Sequence, residues 1–232
     1  FAAVACAFVV TQATAQDGPS VSIGGGLRAG ASWGDPNDAY GLNDVRLYVN
    51  AKANDWLAVE VNTQTSFGGL NSSDETSLTL LDAVAKLKLH DNINVWAGRF
   101  LAPSDRANLS GPYYGNVGND GPRGSSYYYG GNNQAGRDDG IAISGPLAGS
   151  GGDGEMNLKY AVGLFDGVAN DQDDQMFAGR LTLNLWDNEA GYYNASTYYG
   201  EKEILAIGIS YQTESVGTST DDLGTPAQAD DI

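Results

Sequence analysis

The stretch Leu78–Phe100, LTLLDAVAKLKLHDNINVWAGRF, decides the fold class of this chain. Its first half alternates with a period of two, and the apolar residues share one phase: Leu81, Ala83, Ala85, Leu87 and Leu89. The charged residues share the other phase: Asp82, Lys86 and Lys88. In the second half, Trp96, Gly98 and Phe100 alternate with Arg99. Such alternation predicts strands with one apolar and one polar face, and the polar turn His90–Asn92 predicts that they form a hairpin.

The same alternation recurs along the rest of the chain and predicts an all-β fold of about nine strands of roughly ten residues each. Besides the hairpin, the strand-like segments are Ser20–Trp33, Tyr40–Ala53, Leu57–Gln64, Asp138–Gly145, Met156–Leu164, Phe177–Leu185 and Leu205–Gln212. Beyond the first residues, no segment has the ~20 consecutive apolar residues of a membrane helix. Strands of ~9–11 residues are long enough to cross a membrane as a barrel.

The connections between the predicted strands differ in length. Those at Asn54, at Asp91 and near Pro146 are short, whereas those at Asp35, Ser72, 101–137 and Asp171 are longer or more polar. Short turns at one end and long loops at the other are typical of an outer-membrane barrel. A soluble sandwich has no reason to sort its loops by length. The loop 101–137, rich in glycine and tyrosine, is far longer than an ordinary connection, and such loops are usually functional or disordered.

The first fifteen residues, FAAVACAFVVTQATA, predict a truncated secretory signal peptide. The run is apolar and ends in the small residues Ala13-Thr14-Ala15, which are typical of a cleavage site; a buried first strand or helix is the alternative. The only cysteine, Cys6, lies within it. Residues 16–232 then form one domain, which we expect to be a partial barrel.

The charge of the chain limits the classes of partner that it can bind. The 232 residues carry a formal net charge of -17 and only 12 Lys and Arg, which argues against a nucleic-acid partner because phosphate binding needs concentrated cations. Each of the eight cations within predicted strands falls on the polar phase, which would be the lumen of a barrel: Arg28, Arg46, Lys52, Lys86, Lys88, Arg99, Lys159 and Arg180. The candidates for lining a pore or its constriction are Arg28, Arg46, Lys52, Lys86, Lys88, Arg99, Arg106, Arg123, Lys159 and Arg180. Two interpretations stay open: these cations concentrate anions in a lumen, or they pair with acids that reach in from loops.

Enzymatic chemistry finds little support. His90 is the only histidine and lies in a predicted turn, so the usual zinc ligand sets and Cys–His nucleophiles are not available. The sequence therefore predicts no enzyme, metal or cofactor. Aromatic residues near strand ends fit the aromatic girdles at the two interfaces of a membrane barrel; among them are Trp56, Trp96, Phe100, Phe165 and Trp186.

Six segments resemble the phosphate-selective porin O and P family in their order along the chain. They are GLNDVRLYVNAKANDWLAVEVN, VWAGRFLAPSDR, GRDDGIAISG, LKYAVGLFDG, FAGRLTLNL and ILAIGISYQ. The resemblance spans most of Val21–Gln212. It implies a trimeric 16-stranded barrel in the outer membrane of a Gram-negative bacterium, passing small anions or other hydrophilic solutes, including phosphate. It also implies that the loop 101–137 folds inward and narrows the pore, and that several C-terminal strands are missing from this chain.

The second hypothesis is a secreted or surface β-sandwich. It would bind carbohydrate or protein through the tyrosines of the long loop, Tyr113-Tyr114 and Tyr127-Tyr128-Tyr129.

Overall fold

The chain forms a single ten-stranded antiparallel sheet. The computed structural model describes residues 2–13, 18–32, 39–67, 77–110, 136–148, 155–167, 175–189, 191–195 and 198–214. The strands are β1 Ala2–Ala13, β2 Ser20–Ser32, β3 Ala39–Lys52, β4 Leu57–Ser66, β5 Ser77–His90, β6 Ile93–Leu101, β7 Arg137–Ala148, β8 Asn157–Phe165, β9 Met176–Asn184 and β10 Ala206–Thr213. One helical turn, α1 Arg106–Leu109, follows β6. Every strand pairs with its neighbours in sequence, and β1 and β10 lie at the edges.

The prediction of an all-β antiparallel fold is confirmed, and each of the nine predicted strands is present as β2–β10. The tenth strand, β1, occupies the segment predicted as a signal peptide and pairs with β2 from Ala2↔Ser32 to Ala13↔Val21. The proposed cleavage site after Ala15 lies outside the described residues, so removal of this segment stays a prediction.

The two faces of the sheet differ sharply in polarity and in exposure. On one face, here called the apolar face, large hydrophobic side chains are exposed: Leu47 47%, Val61 37%, Ile141 48%, Leu181 45% and Ile207 62%. On the opposite, polar face, charged and amide side chains are buried, and Asp44, Asn62 and Asp82 are only 4%, 5% and 3% exposed. This is the reverse of the arrangement that water favours for a soluble protein.

A β-bulge in β5 changes which residues of this strand face each side of the sheet. Asn62 lies opposite Asp82 whereas Thr63 lies opposite Leu80, so Leu81 is the extra residue. A bulge of this kind locally changes which side chains share a face. Leu81 is accordingly buried, while Leu78 and Leu80 are exposed on the apolar face.

The hydrophobic core lies on the polar face, beneath the chain that follows β6 and β9. Its buried members are Val84, Phe100, Ala102, Ala142, Phe165, Met176 and Ala178, with Trp96 and Tyr192 packed against them. Glycines make room for these rings: a Cβ on Gly140 would approach Phe165 Cδ1 to 2.4 Å. The two segments that cover the core are residues 102–110, here called the β6–β7 segment, and residues 185–205, the β9–β10 connection.

Candidate functional site

The β6–β7 segment and the β9–β10 connection meet over the polar face. The two reach it from opposite ends of the strands, because β6 and β9 run antiparallel. The Tyr192 hydroxyl donates a hydrogen bond to the Leu101 carbonyl at 2.8 Å, and the amide of Asn194 donates to the Leu109 carbonyl at 3.1 Å. The sequence predicted short turns at this end of the strands and long loops only at the other end. The long β9–β10 connection lies at the end with the short turns and therefore contradicts the predicted separation of loops by length.

An ion pair joins the two segments. Arg106, in α1, pairs with the carboxylate of Glu189, which is only 1% exposed. The Tyr198 hydroxyl donates to the same carboxylate at 2.7 Å, and Arg106 Nη2 donates to the Ala195 carbonyl at 3.3 Å. The hydrogen bond with Glu189 raises the pKa of Arg106. The start of α1 is fixed by Asp105, whose side chain accepts from the Asn108 amide at 3.0 Å, as an N-cap does.

Aromatic rings fill the space between these segments and the sheet. Trp96 stacks on Tyr192 with ring centroids 4.6 Å apart, and Phe100 packs edge-on against Phe165 at 5.4 Å. Lys86 Nζ lies 4.1 Å from the centroid of the Trp96 ring, a cation–π arrangement. Burial raises the pKa of Tyr192 well above its usual value, so its phenol is a neutral hydrogen-bond donor.

Next to this cluster lies a cavity of about 640 Å³, between β6–β9 and the β9–β10 connection. Its cationic lining residues are Lys88, Lys159 and Arg180, and its acidic lining residue is Asp91. Its neutral polar lining consists of hydroxyls and amides: Asn92, Asn94, Ser144, Asn157, Tyr160, Thr182, Asn188, Tyr192 and Asn194. The volume falls within the ~300–1,000 Å³ typical of small-molecule sites.

On β2–β5 each carboxylate of the polar face pairs with a cation of the sheet. Arg28 pairs with Asp44 and Lys86 with Glu60, each across neighbouring strands. Asp82 accepts from Arg137 Nε at 2.8 Å and from Asn62 Nδ2 at 2.9 Å. Of the two interpretations left open by the sequence, these contacts favour pairing, although the acids come from strands more than from loops.

The structure brings seven of the ten predicted pore-lining residues to the polar face. They are Arg28, Arg46, Lys52, Lys86, Lys88, Lys159 and Arg180, as their cross-strand registers place them. Arg106 lies in α1 above that face, and Arg123 lies outside the described residues.

Arg99 is a correction. It lies opposite Ala83 on one side and Asp139 on the other, which places it on the apolar face, whereas Lys86 lies opposite Trp96 on the polar face. Arg99 is bound to Asp139 through two hydrogen bonds of 2.8 and 2.5 Å. The prediction that Arg99 shares a face with Lys86 is therefore wrong. In β6 the aromatic residues face the polar side, where they belong to the core, and Arg99 therefore faces the apolar side.

Lys52 and Lys88 stand at the short-turn end of the sheet. They pair with the turn residues Asp55 and Asp91 at 2.8 and 2.9 Å, and these hydrogen bonds lower the pKa values of Asp55 and Asp91. Because these pKa values are lowered, the two pairs contribute their full stability to the folded protein above the ordinary carboxylate pKa. That stability is lost as the pH falls through the lowered pKa of the folded protein. All four side chains are exposed, so salt screens these pairs.

The sequence missed the residues that hold the β9–β10 connection, namely Glu189, Tyr192, Tyr193 and Tyr198. One feature of the sequence could have indicated them: the connection between the last two strands has about 20 residues with clustered tyrosines and is longer than most loops of a compact domain. Trp96, Phe100 and Phe165, expected near an interface, instead lie in or against the core. Trp56 and Trp186 are exposed, at 53% and 52%.

Comparison with known proteins yields no relative: the chain matches no protein-family profile, no curated protein and no solved structure. Among the described residues, no helix is long and apolar enough to cross a membrane.

Proposed function

We propose that this chain forms part of the wall of an outer-membrane β-barrel porin, through which small hydrophilic solutes diffuse with a mild preference for anions. The observation that carries the proposal is the reversal of polarity between the two faces of the sheet. Hydrophobic side chains such as Ile141 and Ile207 are exposed, while Asp44 and Asp82 are buried. Lipid favours an apolar exterior, since a charge on the lipid face costs ~2–4 kcal/mol at mid-bilayer.

The strand order supports a barrel over the surface β-sandwich. All ten strands pair in sequence order without a crossover, as in an up-and-down barrel. Immunoglobulin-type sandwiches have Greek-key connections and bury the apolar faces of two sheets against each other, whereas the described strands belong to one sheet. The tyrosines 113–114 and 127–129, on which the sandwich hypothesis relied, lie outside the described residues.

The anion preference rests on the polar face. Along β2–β9, seven cations on this face and Arg137, which reaches it to bind Asp82, accompany four carboxylates, Asp44, Glu60, Asp82 and Asp138, which leaves an excess of four positive charges. An excess of one sign in a water-filled passage raises the local concentration of the opposite ions. Because several of the cations are paired, the preference is expected to be mild. The 16-strand trimer and phosphate as a solute are part of the proposal through the family resemblance.

The proposal also assigns a constriction. The β6–β7 segment and the β9–β10 connection cover the polar face together, held by the Arg106–Glu189 ion pair. In a closed barrel, segments on this face occupy the lumen and narrow the passage. The expectation that the loop after β6 narrows the pore is thereby extended to a second segment from the opposite end.

The test is the reversal potential of the full-length protein in a planar bilayer under a salt gradient. Stepwise conductance with an anion-favouring potential is expected. Lys86→Gln removes a positive charge from the polar face and is expected to shift the potential towards cations. Arg99→Gln removes the same charge from the apolar face and serves as the matched control, with no shift expected.

Three outcomes would contradict the proposal or part of it. Absence of conductance from protein that shows heat-modifiable migration on gels would overturn the porin. Cation preference in the unmodified protein would overturn the anion assignment. Equal shifts from Lys86→Gln and Arg99→Gln would mean that the polar face does not line the passage.

A further inference from the structure

We propose that the cavity lined by Lys159 and Arg180 is a binding site for hydroxylated carboxylates, the chemistry of sugar acids. The inference rests on the proposed porin function, because it names the solute class that this passage retains longest. It depends on the composition of the cavity and on the contacts of its two central cations.

The two central cations of the cavity, Lys159 and Arg180, donate hydrogen bonds to neutral oxygens. Lys159 Nζ donates to the backbone carbonyls of Glu189 and Gly191, and Arg180 Nη1 donates to the Ser104 carbonyl at 2.7 Å. These hydrogen-bond acceptors are neutral oxygens that orient the cations, while the carboxylates of Glu189 and Asp105 act on them electrostatically. This differs from Arg28 and Lys86, whose partners are carboxylates on neighbouring strands.

The charge of the cavity favours an anion. Among the residues that the structure describes, three cations and one carboxylate line it, and the carboxylate, Asp91, is bound to Lys88 at the short-turn end. Lys159 and Arg180 lie on neighbouring strands, where Lys159 is opposite Thr182 and Arg180 is opposite Ala161. The two residues are therefore diagonal neighbours on the polar face, a spacing that long side chains can bridge to reach one ligand.

The neutral lining distinguishes a hydroxylated anion from a bare one. Amides and hydroxyls both donate and accept hydrogen bonds, and this lining includes Asn94, Ser144, Asn157, Thr182 and Asn194. A bare inorganic anion offers acceptors and few donors, so it can donate few hydrogen bonds to the oxygens of this lining. A polyhydroxylated carboxylate supplies both kinds of group. The aromatic ring of Trp96 is engaged by Tyr192 and Lys86, so the lining selects by hydrogen bonding and charge.

The experiment measures saturable reduction of single-channel potassium chloride conductance by gluconate in the full-length protein. Glucose, acetate and phosphate are the comparison solutes. Gluconate is expected to saturate at the lowest concentration, because glucose lacks the charge, acetate lacks the hydroxyls and phosphate has few donors. Lys159→Gln and Arg180→Gln are each expected to raise the half-saturating gluconate concentration about tenfold, the effect of losing one charged hydrogen bond.

Two further variants keep the test specific. Arg46→Gln removes a cation from the same face but outside the cavity and is expected to raise the half-saturating gluconate concentration far less than Lys159→Gln does. Lys159→Arg keeps the charge and is expected to retain binding. Heat-modifiable migration shows that each variant is folded.

Failure of this proposal can be distinguished from failure of the porin. Conductance without preferential gluconate saturation, or saturation by acetate, phosphate or glucose at equal concentration, overturns the cavity proposal and leaves the porin. A different result would be that gluconate quenches tryptophan fluorescence in detergent, that Lys159→Gln abolishes this quenching, and that the protein shows no bilayer conductance. This result would support the site and overturn the porin. If Arg46→Gln and Lys159→Gln raise the half-saturating gluconate concentration equally, the effect comes from the overall charge of the polar face, and the binding site is overturned.

Discussion

Across β3–β5 the polar face carries three carboxylates beside its cations, whereas across β6–β9 it carries one, Asp138, and its cations lie beside glycines, alanines and aromatic rings. In the first region, Asp44, Glu60 and Asp82 pair with cations within or next to the sheet. In the second, Lys159 and Arg180 donate to carbonyls of the segments folded over them. A sheet face can therefore satisfy buried charge in two ways: by cross-strand pairing, which needs only register, or by chain laid over it, which needs room. Glycine supplies that room.

The largest effect is expected at Gly98, in the second region. Its φ is +126°, and a Cβ would lie 2.2 Å from the Ala83 carbonyl oxygen. Gly98→Ala combines backbone strain with overpacking and is expected to lower the free energy of unfolding by about 4 kcal/mol. Urea unfolding of protein refolded into lipid vesicles, followed by tryptophan fluorescence, measures it.

Gly24 in β2 is the matched control, since its Cβ would make only ordinary contacts at 3.7 Å with Tyr48. Gly24→Ala is expected to be close to neutral. Equal losses in the two variants would show that the glycines of the second region do not serve the packing described above.

A somewhat smaller effect is expected from Asp82→Ala, in the first region. Asp82 is 3% exposed and accepts hydrogen bonds from Arg137 and Asn62. Its removal leaves Arg137 without its carboxylate partner and is expected to cost about 3 kcal/mol of unfolding free energy.

The double variant Asp82→Ala/Arg137→Met is expected to be more stable than Asp82→Ala alone, because the orphaned charge is then gone. The same unfolding assay measures this. Additive losses would argue that the two side chains do not interact.

The smallest effect is expected from Glu189→Gln, which weakens the contact with Arg106 that joins the two covering segments. The sheet itself is expected to keep its stability, while the covering segments open more easily by about 1–2 kcal/mol. Hydrogen exchange at the Asn194 amide, bonded to the Leu109 carbonyl, is expected to accelerate about tenfold.

Exchange in β3 and β4 serves as the internal control for Glu189→Gln and is expected to stay unchanged. Uniform acceleration over all strands would show instead that the ion pair supports the whole sheet, and the contrast between the two regions would then fail.

The strands could be predicted because each residue's face follows from a local rule. Period-two alternation in Leu57–Gln64 and Met156–Leu164 needs no knowledge of what lies across the sheet, so β4 and β8 lie where the pattern placed them. The turn at His90–Asn92 is equally local, and the Asn92 amide bonds to His90 Nδ1 at 3.2 Å.

The site could be predicted only in part. The type of residue indicated Lys86, Lys159 and Arg180, but nothing local distinguishes the two phases of β6, in which apolar side chains occur on both. Phe100 and Trp96 are hydrophobic, and alternation assigned them to the face opposite to the cations. The chain that folds over the polar face places them beside Lys86 instead, and Arg99 consequently lies on the other face with Asp139.

The sequence by itself determined the all-β class, the strand positions and the separation of charge from apolar residues, because alternation and turn chemistry act over a few residues. Only the tertiary structure decided the partners of the charges, the phase of β6 and the meeting of the β6–β7 segment with the β9–β10 connection. Those depend on pairs such as Arg106 and Glu189, which are 83 residues apart in sequence. Local pattern carries no information about such long-range contacts, since they form only when the whole sheet is assembled.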